Sequence, residues 1–202
     1  MIPTMRCFVA LDLSAELVER LRDAQGRLRD AIPEGPSMGW VSPTAMHLTL
    51  RYLGDDVDVG ITPALERTLR RLGARRPAFS LHLRGVGAYP APTTARVIWA
   101  GLDPTPALFE LWDDLQADLD EIGFPPDRPT LTPHVTLGRV RTPHQGADLT
   151  GPLGEVGGQD FGPLSVESLA LYRSTPTPTG PRDEVLARAQ LQRHDAGRER
   201  SA

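Results

Sequence analysis

Lysine is absent from this chain: all 22 basic residues are arginine. Arginine abundance of that kind, beside plentiful proline, glycine and alanine, reflects a GC-biased coding background and is not in itself evidence of RNA binding. The formal net charge of −4 disfavours a long basic groove for duplex nucleic acid. Cysteine is nearly absent. Cys7 alone forms no internal disulfide, which fits a reducing compartment, and cytoplasmic location is the expectation. Cys7 lies in the apolar run Cys7-Phe8-Val9-Ala10-Leu11 and is expected to be a buried, inert thiol. No apolar run approaches the roughly 18 to 20 residues that span a bilayer. Met1-Ile2-Pro3-Thr4-Met5-Arg6 lacks the layout of a signal peptide.

What is present is a pair of strand-like stretches, His47-Leu48-Thr49-Leu50 and His134-Val135-Thr136-Leu137. Side chains of a strand alternate between faces. His47 and Thr49 therefore share one face while Leu48 and Leu50 point into the core; His134 and Thr136 separate from Val135 and Leu137 in the same way. Only two of the five histidines carry threonine at the second position after them. A lone His-x-Thr carries no weight, and either histidine alone reads as a structural sheet residue. Two copies in strand context point to in-line chemistry at a phosphate. A zinc site needs three or four ligands, and no third histidine, cysteine or carboxylate recurs beside either motif, so no metal is expected. His82 reads as a solvent-facing strand residue, and His144 and His194 fall in loop and tail.

The remaining pattern predicts a strand over 6–13, a helix over 15–31 with Ser14 as N-cap, and a turn at Pro33-Glu34-Gly35-Pro36. Trp40-Val41 reads as a short strand. The first motif strand, 46–53, is expected to close at Gly54-Asp55-Asp56. A second helix opens at Thr62-Pro63 and stops at Gly73. Strands are predicted over 78–88 and 95–102, and a third helix carries Leu108, Leu111, Trp112, Leu115, Leu119 and Ile122 on one stripe. The second motif strand covers 134–141. Residues 142–160 read as a glycine- and proline-rich surface loop, 163–173 as one strand, and 184–191 as the last strand. Helix, proline turn and His-x-Thr strand occur twice, a weak internal duplication. The expectation is a single domain over 1–191, of two interleaved lobes packed as one unit, and a disordered tail over 192–202.

Three further residues are candidates by position. Phe8 faces away from the apolar side of its strand; stacking on a base and partial burial beneath a neighbouring lobe are both open for it. Arg51 shares parity with His47 and Thr49. Arg139 has the wrong parity relative to His134 and Thr136, and reaches a phosphate only if Gly138 allows a bulge or the strand ends there. For both arginines a solvated or structural role stands beside a phosphate contact.

In this order and context the motifs resemble the 2H phosphoesterase superfamily, and within it the bacterial and archaeal RNA 2',3'-cyclic phosphodiesterases, also called 2'-5' RNA ligases. The resemblance rests on Arg6 to Leu13, on Trp40 to Gly54, on Gly123 to Arg128, on Pro133 to Arg139 and on Leu171-Tyr172-Arg173-Ser174. The chain departs from it at Asp183, where an aromatic is often found, and over 142–160, where relatives often carry a helix. The resemblance implies an α+β, two-lobed pseudo-symmetric fold, with an antiparallel sheet in each lobe, helices outside and a central groove. It implies hydrolysis of a 2',3'-cyclic phosphate at an RNA 3' end to a 2'-phosphate; no metal or other cofactor, no membrane partner and a monomer are expected. It also implies the reverse ATP-independent 2'-5' ligation. The residues alone leave open which histidine is the acid. The resemblance assigns His47 as proton donor and His134 as proton acceptor, and favours Arg139 for the phosphate; Thr49 and Thr136, on the faces of their histidines, can donate to its non-bridging oxygens, and Arg51 could reach the groove by parity. A small cyclic nucleotide such as an ADP-ribose cyclic phosphate is an alternative substrate, and a non-catalytic RNA-end-binding module an alternative function.

Overall fold

The computed structural model describes residues 2–32, 37–126, 131–141, 146–178 and 180–193. The predicted turn at 33–36, Arg128, His144, His194 and nearly all of the predicted disordered tail lie outside them. The elements described follow the order β1 (Thr4–Asp12), α1 (Ala15–Ala31), β2 (Met38–Trp40), β3 (His47–Asp58), α2 (Thr62–Gly73), β4 (Phe79–Tyr89) and β5 (Val97–Asp103). They continue as α3 (Pro106–Asp120), β6 (Val135–Val140), α4 (Thr150–Val156), β7 (Asp160–Val166), β8 (Ser168–Thr175) and β9 (Arg182–Gln190). The fold is α+β, as the resemblance implied.

The strands form one curled antiparallel sheet in the order β7-β4-β5-β6-β3-β1-β8-β9, with β2 on β6. It has two halves. One, β3-β1-β8-β9, draws on both ends of the chain; the other, β7-β4-β5-β6, comes from the middle. Among the described residues they meet at a single ladder pair, Leu48 opposite Val135. Both side chains are fully buried. The helices cover the face these two point into. The α1 stripe of Leu17, Leu21, Ala24 and Leu28 is buried, with α1 packed on β6, β7 and α4, while α2 packs on β8, β9 and α3. The opposite face is left open, and by the period-two rule it carries the histidines.

Helix ends follow local chemistry. Ser14 caps α1 by accepting from the Leu17 amide (3.2 Å), and Thr105 caps α3 through Leu108. Gly123 adopts φ +96° past the end of α3, and the Phe124 amide bonds back to the Leu119 carbonyl at 3.0 Å. That left-handed position is why the helix stops there. Cys7 is fully buried, and burial pushes its thiol up to about 11.

Three expectations need correction. First, the 142–160 stretch is not wholly loop: α4 occupies Thr150–Val156, as Leu149, Leu153 and Val156 are all buried at helical spacing. Pro152 sits in its first turn, where a proline costs nothing. Second, the predicted strand over 163–173 is the end of β7 followed by most of β8. Leu164 and Val166 are buried on one phase, then Leu169 and Leu171 on the other, so the chain changes partner from β4 to β1. Third, β3 does not close at Gly54 but runs to Asp58, because Val57 is buried opposite Met5.

The join between the halves gives a direct expectation. Leu48→Ala removes a buried side chain at the ladder pair between β3 and β6, and should cost about 2–5 kcal/mol of unfolding free energy in urea. A loss below about 1 kcal/mol would mean that this pair is not where the halves are held.

Candidate active site

The single pair Leu48–Val135 dictates the arrangement around it. In an antiparallel ladder one step on either side sets His47 towards Thr136, and Thr49 towards His134, all four on the face opposite the buried pair. The histidines are thus diagonal neighbours, a relation that corresponds to about 7–8 Å between α-carbons in a regular sheet. That spacing leaves room for one tetrahedral group between two imidazoles.

Each motif strand then carries a bulge at the same place. On β3, Thr49 pairs with Ala10 and Arg51 with Val9, so Leu50 is the extra residue. On β6, Thr136 pairs with Trp99 and Gly138 with Ile98, so Leu137 is extra. In both strands a helix side chain donates to the carbonyl of the extra residue, which on β6 also accepts from the Val41 amide at 2.9 Å. Trp112 of α3 donates Nε1–H to the Leu50 carbonyl at 3.1 Å. Gln25 of α1 donates to the Leu137 carbonyl at 2.7 Å and to that of Val41 at 2.9 Å.

The bulges reset parity, with opposite results for the two candidate arginines. Arg51 is turned to the buried side at 6% exposure, and its Nη2 donates to the Pro125 carbonyl; the expectation that it lines the groove with His47 does not hold. Arg139 is exposed and pairs with Val97, which has the parity of Trp99 and Thr136. The bulge it required is there. The same shift brings Tyr52 to the open face, 40% exposed opposite Phe8, with the Arg6 guanidinium 5.2 Å from its ring centre. Tyr52 and Arg139 occupy the same offset from their histidines, a correspondence readable in the sequence once the bulges are known.

The two histidines sit in different surroundings. His47 lies directly opposite Asp12 on β1. Its ring stacks on Phe8 at 4.6 Å between centres, and Phe8 stacks on Tyr172 at 5.1 Å. Phe8 is therefore a buried support, 6% exposed, packed against both His47 and Tyr172. The Tyr172 hydroxyl donates to Asp12 Oδ1, and Arg188 Nη2 stands 2.9 Å from Asp12 Oδ2. Burial, and after it the Asp12 carboxylate, pushes the Tyr172 hydroxyl up. Burial pulls the His47 imidazolium below the ordinary 6.5, while Asp183 and then Asp12 oppose that pull. Among the described residues neither ring nitrogen of His47 makes a hydrogen bond.

His134 is partly exposed. Tyr89 meets it edge-on at 5.5 Å, and Trp99 lies 5.2 Å from Tyr89. Trp99 lies flat over Gly87, its direct partner on β4, where a β-carbon would come within 2.4 Å of the indole. His134 Nδ1 stands 2.8 Å from the Thr132 carbonyl. A carbonyl can only accept, so Nδ1 carries the hydrogen. In the neutral ring the lone pair is then on Nε2. Cys7 and His82 play no part in this cluster: the thiol is buried in the core, and His82 faces Asp160 at 2.7 Å on the rim. Among the described residues no three His, Cys, Asp or Glu side chains group so as to hold a metal ion, and no helix is long and apolar enough to cross a membrane.

Comparison with known proteins gives the family and the fold. The family model described as the 2'-5' RNA ligase superfamily matches residues 11–177. The RNA 2',3'-cyclic phosphodiesterase of Methanothermobacter thermautotrophicus is 32% identical over 88% of this chain and 94% of its own length. That of Thermotoga maritima is 32% identical over 93% and 96%. Among solved structures, TT0787 of Thermus thermophilus superposes with a TM-score of 0.76 at 30% identity, covering 94% of this chain and all of that one. LigT of E. coli complexed with 3'-AMP gives 0.70 at 26%, covering 94% and 99%.

In the free protein an NMR titration should find the His47 midpoint below 6.5, and Phe8→Ala, which admits water to the ring, should raise it. A midpoint at or above the ordinary value would contradict the buried, stacked setting. The sign carries to stability: the unfolded chain binds this proton more readily, so the His47 contribution to folding is lost as pH falls through its folded midpoint and is fully present above the unfolded one.

Proposed function

This chain belongs to the 2'-5' RNA ligase superfamily, and from that premise we propose that it hydrolyses RNA 2',3'-cyclic phosphate ends to 2'-phosphates by two-histidine acid–base catalysis without a metal. The observation that carries the reading is the diagonal placement of His47 and His134 on one open face, each with a threonine on the same side. Relatives of about one-third identity along nearly the whole chain bear the name of that activity.

A cyclic phosphate diester needs a water activated on one side of phosphorus and a protonated leaving oxygen on the other. His134, with Nδ1–H committed to the Thr132 carbonyl, offers the Nε2 lone pair as the base. It takes a proton as the water oxygen bonds to phosphorus. The bond from phosphorus to O3' breaks, and His47 gives its proton to that oxygen. The products are a 2'-phosphate and a 3'-hydroxyl, and solvent exchange resets both rings. Thr49 and Thr136 hydroxyls donate to the non-bridging oxygens as charge builds on them. The phosphate brings negative charge to His47 and opposes the loss of its proton to burial, so substrate binding itself loads the acid. Arg139 and Tyr52, on the same face, are placed to receive the neighbouring nucleotide. The same groups run backwards join a 5'-hydroxyl to the cyclic phosphate without ATP.

The test is turnover, in EDTA, of an oligoribonucleotide ending in 2',3'-cyclic phosphate. His47→Ala and His134→Ala should each lower the rate at least about 10²-fold. Thr49→Val and Thr136→Val should each cost about 10-fold or more, as the loss of an oxyanion donor does. Near-full activity in either histidine variant would sink the roles. Turnover of an ADP-ribose cyclic phosphate alone would move the substrate to small nucleotides, and binding without turnover would leave an RNA-end-binding module.

A further inference from the structure

One end of the open face carries two guanidinium groups in a single row of the sheet. Arg139 is exposed there, in the row it shares with Val97 of β5 and Gly39 of β2. Arg141 stands two residues on. Its amide donates to the Ser37 carbonyl at 2.8 Å, so the chain before β2 holds it one step past the pair of Met38 and Val140. Its side chain bends back over β2: a β-carbon at Gly39 would stand 2.9 Å from Arg141 Nε and 3.5 Å from Nη2. Residues directly opposite in an antiparallel ladder share a face. The Arg141 head therefore lies on the face of Arg139, and it fits there because position 39 has no side chain. Gly138 points the other way, where a β-carbon would meet Trp40, the ring beneath Arg29 of α1. Among the described residues neither Arg139 nor Arg141 has a carboxylate partner, in a chain of net charge −4.

This is the end of the groove by which an RNA chain leaves. The leaving oxygen belongs to the terminal ribose, so the ribose lies on the His47 side of phosphorus. His47 sits beside Thr136, and from Thr136 the strand runs away from His134, past its bulge, to Arg139 and Arg141. Two residues of strand span about 6.5 Å, the order of the distance between successive phosphates of an extended single strand. We propose that Arg141, laid over Gly39, binds the phosphodiester on the 5' side of the terminal nucleotide, while Arg139 stays with the reacting nucleotide. The site is then built for an RNA chain and not for a lone nucleoside cyclic phosphate. The inference deepens the cyclic phosphodiesterase reading and rests on it, and its test tells the failure of one from the failure of the other.

Two short oligoribonucleotides ending in 2',3'-cyclic phosphate are compared in the full chain, in EDTA. They differ only in the last internucleotide linkage, a phosphodiester in one and an uncharged methylphosphonate in the other, with the penultimate nucleotide 2'-O-methylated in both. Arg141→Ala should lower kcat/KM about 10-fold on the phosphodiester and less than about 2-fold on the methylphosphonate. On the phosphodiester it should also flatten the slope of log kcat/KM against log salt by about 0.7, the share of one single-strand phosphate contact. Gly39→Ala keeps the arginine but puts a β-carbon where its head lies, and should act in the same sense. Equal losses on both substrates, or no loss on the phosphodiester, overturn the proposal. If the wild-type protein turns over neither oligomer, the cyclic phosphodiesterase reading fails, and fluorescence anisotropy of the same two oligomers decides the subsite. Affinity lost in Arg141→Ala for the phosphodiester alone supports it; affinity unchanged, or lost equally for both, overturns it.

Discussion

One antiparallel pair, Leu48 against Val135, holds the two halves of the sheet edge to edge. Both residues are buried without remainder, so a slip of one step would bring the motif polar groups into the core and the leucine and valine out to water. Burial of a side chain of this size is worth about 1.5–3 kcal/mol. The register is therefore fixed by the hydrophobic side of the strands, and the positions of His47, Thr49, His134 and Thr136 on the other side follow from it. The chemistry-bearing face is set by what lies behind it.

The bulges extend that logic. An extra leucine in each motif strand rotates the next residues by one face, burying Arg51 and Gly138 and presenting Tyr52 and Arg139. Trp112 and Gln25 reach from helices on opposite halves to the carbonyls of those two leucines. The halves match at this level, yet their histidines differ. One ring packs on the Phe8 and Tyr172 rings with Asp12 opposite it on β1; the other is tied through Nδ1 to a backbone carbonyl beside Tyr89. Near-symmetric backbones with unlike electrostatics are what a reaction with one acid and one base requires.

The sequence made the four motif residues legible because strand parity needs nothing beyond local spacing. It made α1, α2 and α3 legible because their apolar stripes are long. Arg51 was misplaced because a bulge changes parity and leaves no local mark, whereas Gly138 did hint at the one that brings Arg139 round. Asp12 and Tyr172 went unread as neighbours of His47, since β3, β1 and β8 come together only through long-range pairing. Phe8 was seen to face the groove side, but not that an imidazole would cover it. In α4, glycine and proline obscured three buried residues at helical spacing, and in 163–173 the change of phase after Val166 was the missed sign of two strands.

The most direct measurement of the central claim is a crystal structure of this protein with phosphate or vanadate bound. The account predicts one tetrahedral or trigonal-bipyramidal centre with Nε2 of His134 and a ring nitrogen of His47 on opposite sides, each within about 2.6–3.2 Å of one of its oxygens. An anion held by only one of the two imidazoles, with the other directed elsewhere, would contradict it.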